Sequence, residues 1–326
     1  MLPNETPHDL HVEAAQLEAR LQDIRARLAA DFYPSPPASH PDNKTPWSAS
    51  QGLDTYNNHL NNKFQSDSVR SSSLHALLLL SDSALPLGSF AYSSGLESYL
   101  AHNKPRRTHT VSSFHRFLRL SIASICSTSV PYVLAGYRQP STLETLDNDL
   151  DASTPCIVAQ RASVAQGRAL LGVWERAFRG SFAGSEQTHN NDNEDADAGA
   201  AVGAIDGFSE ALKSSGFDDA DDLGPKGHFA PLWGVVCRAM GLDLQQAAYV
   251  FVLNHAKAVL SAAVRASVMG PYQAQSVLAS QSLQDTIMKR IRREWHTEVE
   301  QAGQVVPALD LWVGRHELLY SRIFNS

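Results

Sequence analysis

The stretch from Asp243 to Pro271 most restricts what this chain can become. Asp243 and Gln246 have the spacing of a reciprocal capping box, and Tyr249 to Val264 is apolar nearly all the way round a helix. A helix with no polar face must be buried on every side, so other elements have to surround it. Gly270 and Pro271 stop this helix and open the next, because glycine suits a helix end and proline suits a first turn. A second stripe, Phe114, Phe117, Leu118, Ile122 and Ile125, repeats at helical spacing with Arg116 and Arg119 off it, and ends near Pro131. No segment alternates with the two-residue period of a strand. The expected fold is therefore all-α, a single-domain helical bundle.

With 326 residues, 43% of them hydrophobic, the chain can bury a large core. No run reaches the roughly 18 apolar residues of a membrane span, and the opening MLPNETPHDLHVEAA lacks the apolar centre of a signal peptide. A cytoplasmic protein without membrane association is expected. The net charge is −7, yet Glu186 to Lys226 holds eleven acidic residues against two lysines. The remainder is close to neutral, so nothing supplies the basic face that a nucleic-acid partner requires. Cys126, Cys156 and Cys237 fit neither a disulfide framework nor a CxxC metal pattern and are expected to be reduced.

The organisation predicted is an N-terminal extension, 1–73, followed by a helical domain, 74–326. Within the extension, Leu17, Leu21, Ile24 and Leu28 mark a short amphipathic helix over 11–31. The rest is rich in Pro, Ser, Asn and Asp and reads as a disordered linker. The acidic, Ala- and Gly-rich stretch 183–226 reads as a flexible insert whose removal the fold should tolerate.

Catalytic patterns fail on inspection. There is no GxxxxGK[ST] to cradle phosphates. Asp147, Asp149 and Asp151 match the start of a calcium loop, but Ala152 and Val158 occupy its required Gly and Glu positions, leaving capping or exposure. His102, His109 and His115 form no HxH, HxxxH or similar ligand pair. GSFAYSSGLES has no GxSxG elbow; Ser94 stands three residues before Glu97, the spacing of a capping box that opens a helix at Gly95. Around it, Asp82 can cap, Pro86 stiffens and Gly88 permits a tight turn, which makes 81–99 a shaped loop presenting Phe90 and Tyr92 either to the core or to a partner. The closing HELLYSRIFNS is rich in residues favoured at interfaces, and His316, Tyr320, Arg322 and Phe324 are candidates for docking, on the chain's own body or on another chain. Tyr249, His255 and Trp233 are the residues of a competing possibility, a small-molecule pocket in the bundle. A third is a plain oligomeric scaffold.

LLLLSDSALPLGSFAYSSGLESYL (77–100), HFAPLWGVVCRAMGL (228–242), SAAVRASVMGPYQAQ (261–275) and the ending PALDLWVGRHELLYSRIFNS resemble, in order, the segments of the UreF family of urease accessory proteins. The resemblance covers most of 74–326. It implies a non-catalytic all-α protein, with no permanently bound cofactor, that forms a homodimer. It further implies binding of UreD (also called UreH) largely through the C-terminal region, recruitment of the GTPase UreG to apo-urease, and at most a transient passage of nickel. By position, Phe90 and Tyr92 fall in the family's loop near the partner surface and Arg322 on the arginine of its YSR ending. Tyr92 stands where the family usually has His.

Overall fold

The computed structural model describes residues 73–102, 110–182, 192–214 and 224–325. The chain divides into two units, Met1–Asn61 and Asn62–Ser326, and the described residues all lie in the second. The expected helix at 11–31 and the linker after it fall outside them.

Every regular element among the described residues is helical, as the periodicity predicts. Helix α1 (73–81) leads into the shaped loop. Then come α2 (Leu96–His102), α3 (Thr110–Thr128), α4 (Val130–Arg138), α5 (Leu143–Ser153) and α6 (Ile157–Val173). A π turn, Trp174–Phe178, passes into the short α7 (Arg179–Phe182), and α8 spans Asp192–Ser214. Helices α9 (Phe229–Ala239), α10 (Leu244–Arg265), α11 (Pro271–Leu278), α12 (Gln281–Glu294) and α13 (Pro307–Arg315) complete the bundle.

Helix α10 lies at the centre, touching α2, α3, α4, α9, α11 and α12. Both halves of its capping box form: Asp243 Oδ1 accepts the Gln246 N–H at 2.7 Å, and Gln246 Oε1 accepts the Asp243 N–H at 3.3 Å. It ends at Arg265, earlier than Gly270, because Ser267 adopts a left-handed φ of 57° and turns the chain. Gly270 then caps α11, with Pro271 in the first turn. The α3 stripe is likewise internal, with Phe114, Phe117 and Ile122 fully buried. Val111–Arg138 and Leu244–Arg265 are apolar enough to cross a membrane by length and composition alone; 72% and 61% of those windows are buried inside the bundle, which accounts for their apolarity.

Helices α9 and α4 approach closely through two glycines. A methyl group at Gly136 would sit 2.5 Å from the Pro231 carbonyl oxygen, and one at Gly234 would overlap the Val133 carbonyl.

The acidic stretch departs from expectation. Within 183–226, residues 192–214 are helix α8 rather than a flexible insert. Ala201, Ile205 and Phe208 recur at spacings of four and three and are buried against α9 and α5, which supplies the apolar contact that the acidic composition conceals. The acids pair outward: Asp206 with Arg179 at 2.7 Å, and Asp197 with Arg238. Burial pushes the Cys126 thiol up to about 12 and the Cys237 thiol well above its ordinary value.

Candidate partner-binding surface and the polar cavity behind it

The shaped loop and the closing segment form one structure. Asp82 Oδ1 accepts the Ala84 N–H at 2.9 Å, Pro86 is exposed in the turn, and Gly88 takes a left-handed φ of 72°. Ser94 is also left-handed, at 52°, and does not make the capping box expected of it with Glu97. Ser93 takes that place, its hydroxyl accepting the Glu97 N–H at 3.3 Å. The Glu97 carboxylate is thereby left to face the far end of the chain.

Helix α13 crosses α2 at Gly95, where a Cβ would meet the Val313 side chain and backbone at 3.1 Å. Trp312 sets its ring edge-on to Tyr99 at 4.7 Å, and Tyr99 in turn packs on Phe117 at 5.0 Å. Beyond α13 the buried His316 donates from Nε2 to Glu97 Oε2 at 2.8 Å, a tautomer that follows from the carboxylate being the acceptor. Its Nδ1 has no hydrogen-bond partner among the described residues. The backbone N–H groups of Ile323 and Phe324 also donate to Glu97, at 2.7 and 3.2 Å. Asn325 N–H reaches the Ala91 carbonyl at 2.8 Å. Phe324 is buried, and the Arg265 guanidinium lies 4.4 Å from its ring centre while donating to the Phe90 carbonyl.

Of the predicted docking residues, His316 and Phe324 therefore face the protein's own body. Tyr320 and Arg322 face solvent, Tyr320 completely. Phe90 and Tyr92 are half-buried and line the cavity described below. Leu318 and Ile323, in the same closing segment as Tyr320, and Leu311 on α13 are each more than 60% exposed, and Arg161, one turn beyond the exposed Ile157, pairs with Glu317. The closing segment thus exposes Leu318, Tyr320 and Ile323 while His316 and Phe324 fix it to the bundle. Sequence reasoning did not single out Leu318, Ile323 or Arg265. Leu318 and Ile323 carry a usable signal, being large apolar residues close to the end of the sequence.

Asp147 is not a calcium ligand or a surface cap. Fully buried, it accepts the backbone N–H groups of Lys226, Gly227 and His228 and so fixes the entry to α9. His228 bridges Ser163 at 3.0 Å and Asp151 at 2.9 Å. These three residues have the order of a charge relay, but the Ser163 oxygen also accepts the Phe229 N–H, and His228 is fully buried. The arrangement is a clamp on the first turn of α9.

Behind the loop lies a cavity of about 280 Å³ lined by Ser121, Ser124, Thr128, Ser163, Asn254 and His255, among others. Thr128 and Thr154, also in its lining, donate their hydroxyl protons to the Ser124 and Leu150 carbonyls. His255 contacts the Ser121 hydroxyl at 2.8 Å, and burial pushes its imidazole down to about 4, so it is neutral near pH 7. The structure does not bring the proposed pocket trio together. Trp233 is fully buried, donating to the Ala247 carbonyl at 3.0 Å within an aromatic cluster with Phe229 and Phe251, and neither it nor Tyr249 lines the cavity. No group of three or more His, Cys, Asp or Glu suited to a metal ion occurs among the described residues.

Residues 108–282 match the UreF family profile. An uncharacterized UreF-like urease accessory protein of Schizosaccharomyces pombe is 36% identical over 252 residues, covering 77% of this chain and 97% of that protein. Urease accessory protein F of Oryza sativa subsp. indica is 30% identical over 262 residues, covering 79% and 87%. Urease accessory protein 6 of Cryptococcus neoformans var. grubii is 26% identical over 316 residues, covering 78% and 97%. The family profile spans more than half of the chain, and the bundle is helical as the resemblance implied; this chain belongs to the UreF family of urease accessory proteins.

Proposed function

We propose that this protein is a non-catalytic adaptor in urease maturation. It holds UreD through the 316–325 segment and the 88–97 loop, and the pair brings the nickel-carrying GTPase UreG to apo-urease. It acts in the cytosol as a homodimer, and nickel passes as cargo rather than residing on it. The observation that carries this reading is the exposure of Leu318, Tyr320 and Ile323 on a segment that the Glu97 carboxylate anchors through His316 and the Ile323 N–H. A surface ordered before binding loses little entropy on association, and Tyr and Arg are favoured at binding hot spots.

The test is co-purification and titration of UreD with the full-length chain carrying Tyr320→Ala. Tyr320 makes no buried contact, so folding is unaffected, and affinity is expected to fall by about tenfold or more. Unchanged affinity would remove the segment from the interface.

A further inference from the structure

We infer that the cavity behind the 82–94 loop is a binding site for a small organic cation, a primary ammonium on a short hydrocarbon body. This does not rest on the adaptor reading above. Ser124 gives the first sign. It is only 5% exposed and lines the cavity, and its hydroxyl has no hydrogen-bond partner among the described residues. A sheltered hydroxyl without a protein partner is satisfied from the cavity or not at all.

The rest of the lining selects the occupant. Ser89 donates to Gln166 Oε1 at 2.8 Å, Thr128 to the Ser124 carbonyl at 2.9 Å, and Ser153 and Thr154 to the Leu150 carbonyl at 3.2 and 2.7 Å. A hydroxyl has one proton, so towards a ligand these four can only accept. Asn254 donates from Nδ2 to the Leu80 carbonyl at 2.8 Å, and its amide oxygen receives no donor from the described residues. Charge points the same way. Asp82, Asp310 and Lys257 line the cavity with a neutral His255, so two acids against one lysine leave a net −1. Lys257 donates to the Ser81 carbonyl and lies in the field of Asp82. Asp310 accepts from Gln304 Nε2 at 2.8 Å on one oxygen and pairs with no cation among the described residues. A carboxylate without a counter-charge beside surplus acceptors favours a charged donor, and an ammonium brings three N–H groups. Leu85, Ile125, Phe229, Phe251 and Leu309 supply an apolar wall for its body. The volume of about 280 Å³ equals that of about nine liquid water molecules, which suits a ligand of up to about ten non-hydrogen atoms.

Calorimetric titration of the full-length chain with hexylammonium, hexan-1-ol and hexanoate tests this, because the three share a hydrocarbon body and differ in the head group. Hexylammonium is expected to bind about tenfold or more tighter than either of the others. No binding of hexylammonium to the well-folded chain would overturn the site, and equal affinity for hexan-1-ol would overturn its selectivity for a cation. Two variants locate the ligand. Ser124→Leu fills the cavity without removing a side-chain hydrogen bond and is expected to abolish binding. Asp310→Asn keeps an oxygen for Gln304 but loses the charge, and is expected to weaken hexylammonium binding about tenfold or more. Unchanged affinity in Ser124→Leu would place the ligand elsewhere and overturn the assignment. Should that variant fail to fold, unchanged affinity in Asp310→Asn would overturn it equally.

Discussion

Among single residues, His255 gives the clearest solution signature. Its folded value of about 4 lies below the ordinary 6.5, so between those limits the unfolded chain binds the proton and the folded one does not. Stability from this group is complete above pH 6.5 and is lost as the pH falls toward 4, by up to about 3 kcal/mol. Urea unfolding at pH 7 and pH 4.5 should show a smaller acid loss for His255→Gln than for the wild type; equal losses would place the titration elsewhere. The sequence places His255 on a buried helix, but the cavity that it faces is lined also by α3, α6, the 82–94 loop and residues 302–313, which its own neighbourhood does not reveal. Glu97 shows a similar limit. Its local spacing to Ser94 reads as a cap, whereas Ser93 caps and Glu97 reaches residues 316–324, because the left-handed turn at Ser94 redirects the chain.

At the scale of elements, periodicity identified what composition did not obscure. Helices α3 and α10 were legible because large apolar residues mark their buried faces. Helix α8 was not, since its contact face consists of Ala201, Ile205 and Phe208 among acids and glycines, and averaging over the stretch hides a stripe of three. Phe208→Ala should cost about 3 kcal/mol in urea unfolding, the usual range for emptying a buried phenylalanine site. A loss below about 0.5 kcal/mol, the level of an ordinary surface substitution, would return α8 to the status of a dispensable insert. Close crossings are also hard to read: Gly136 and Gly234 look like helix weakeners in sequence, yet their missing side chains let α4 meet α9.

For the whole molecule, the decisive contacts join residues that no local rule connects. Arg265 to Phe324, Glu97 to Phe324 and Asp147 to His228 bring together chain segments that lie far apart, and each ties a loop or an end to the bundle. The ending reads as a docking element from its composition; that His316 and Phe324 dock inward while Tyr320 and Arg322 stay outward depends on the fold. This outward face is the surface that the proposed adaptor role requires to bind a partner. The most direct measurement is size-exclusion chromatography with light scattering of the full-length protein and UreD from the same organism, followed by addition of UreG and nickel. Co-elution with UreD as a stable complex that then takes up UreG is the predicted result; well-folded proteins that elute separately would contradict it.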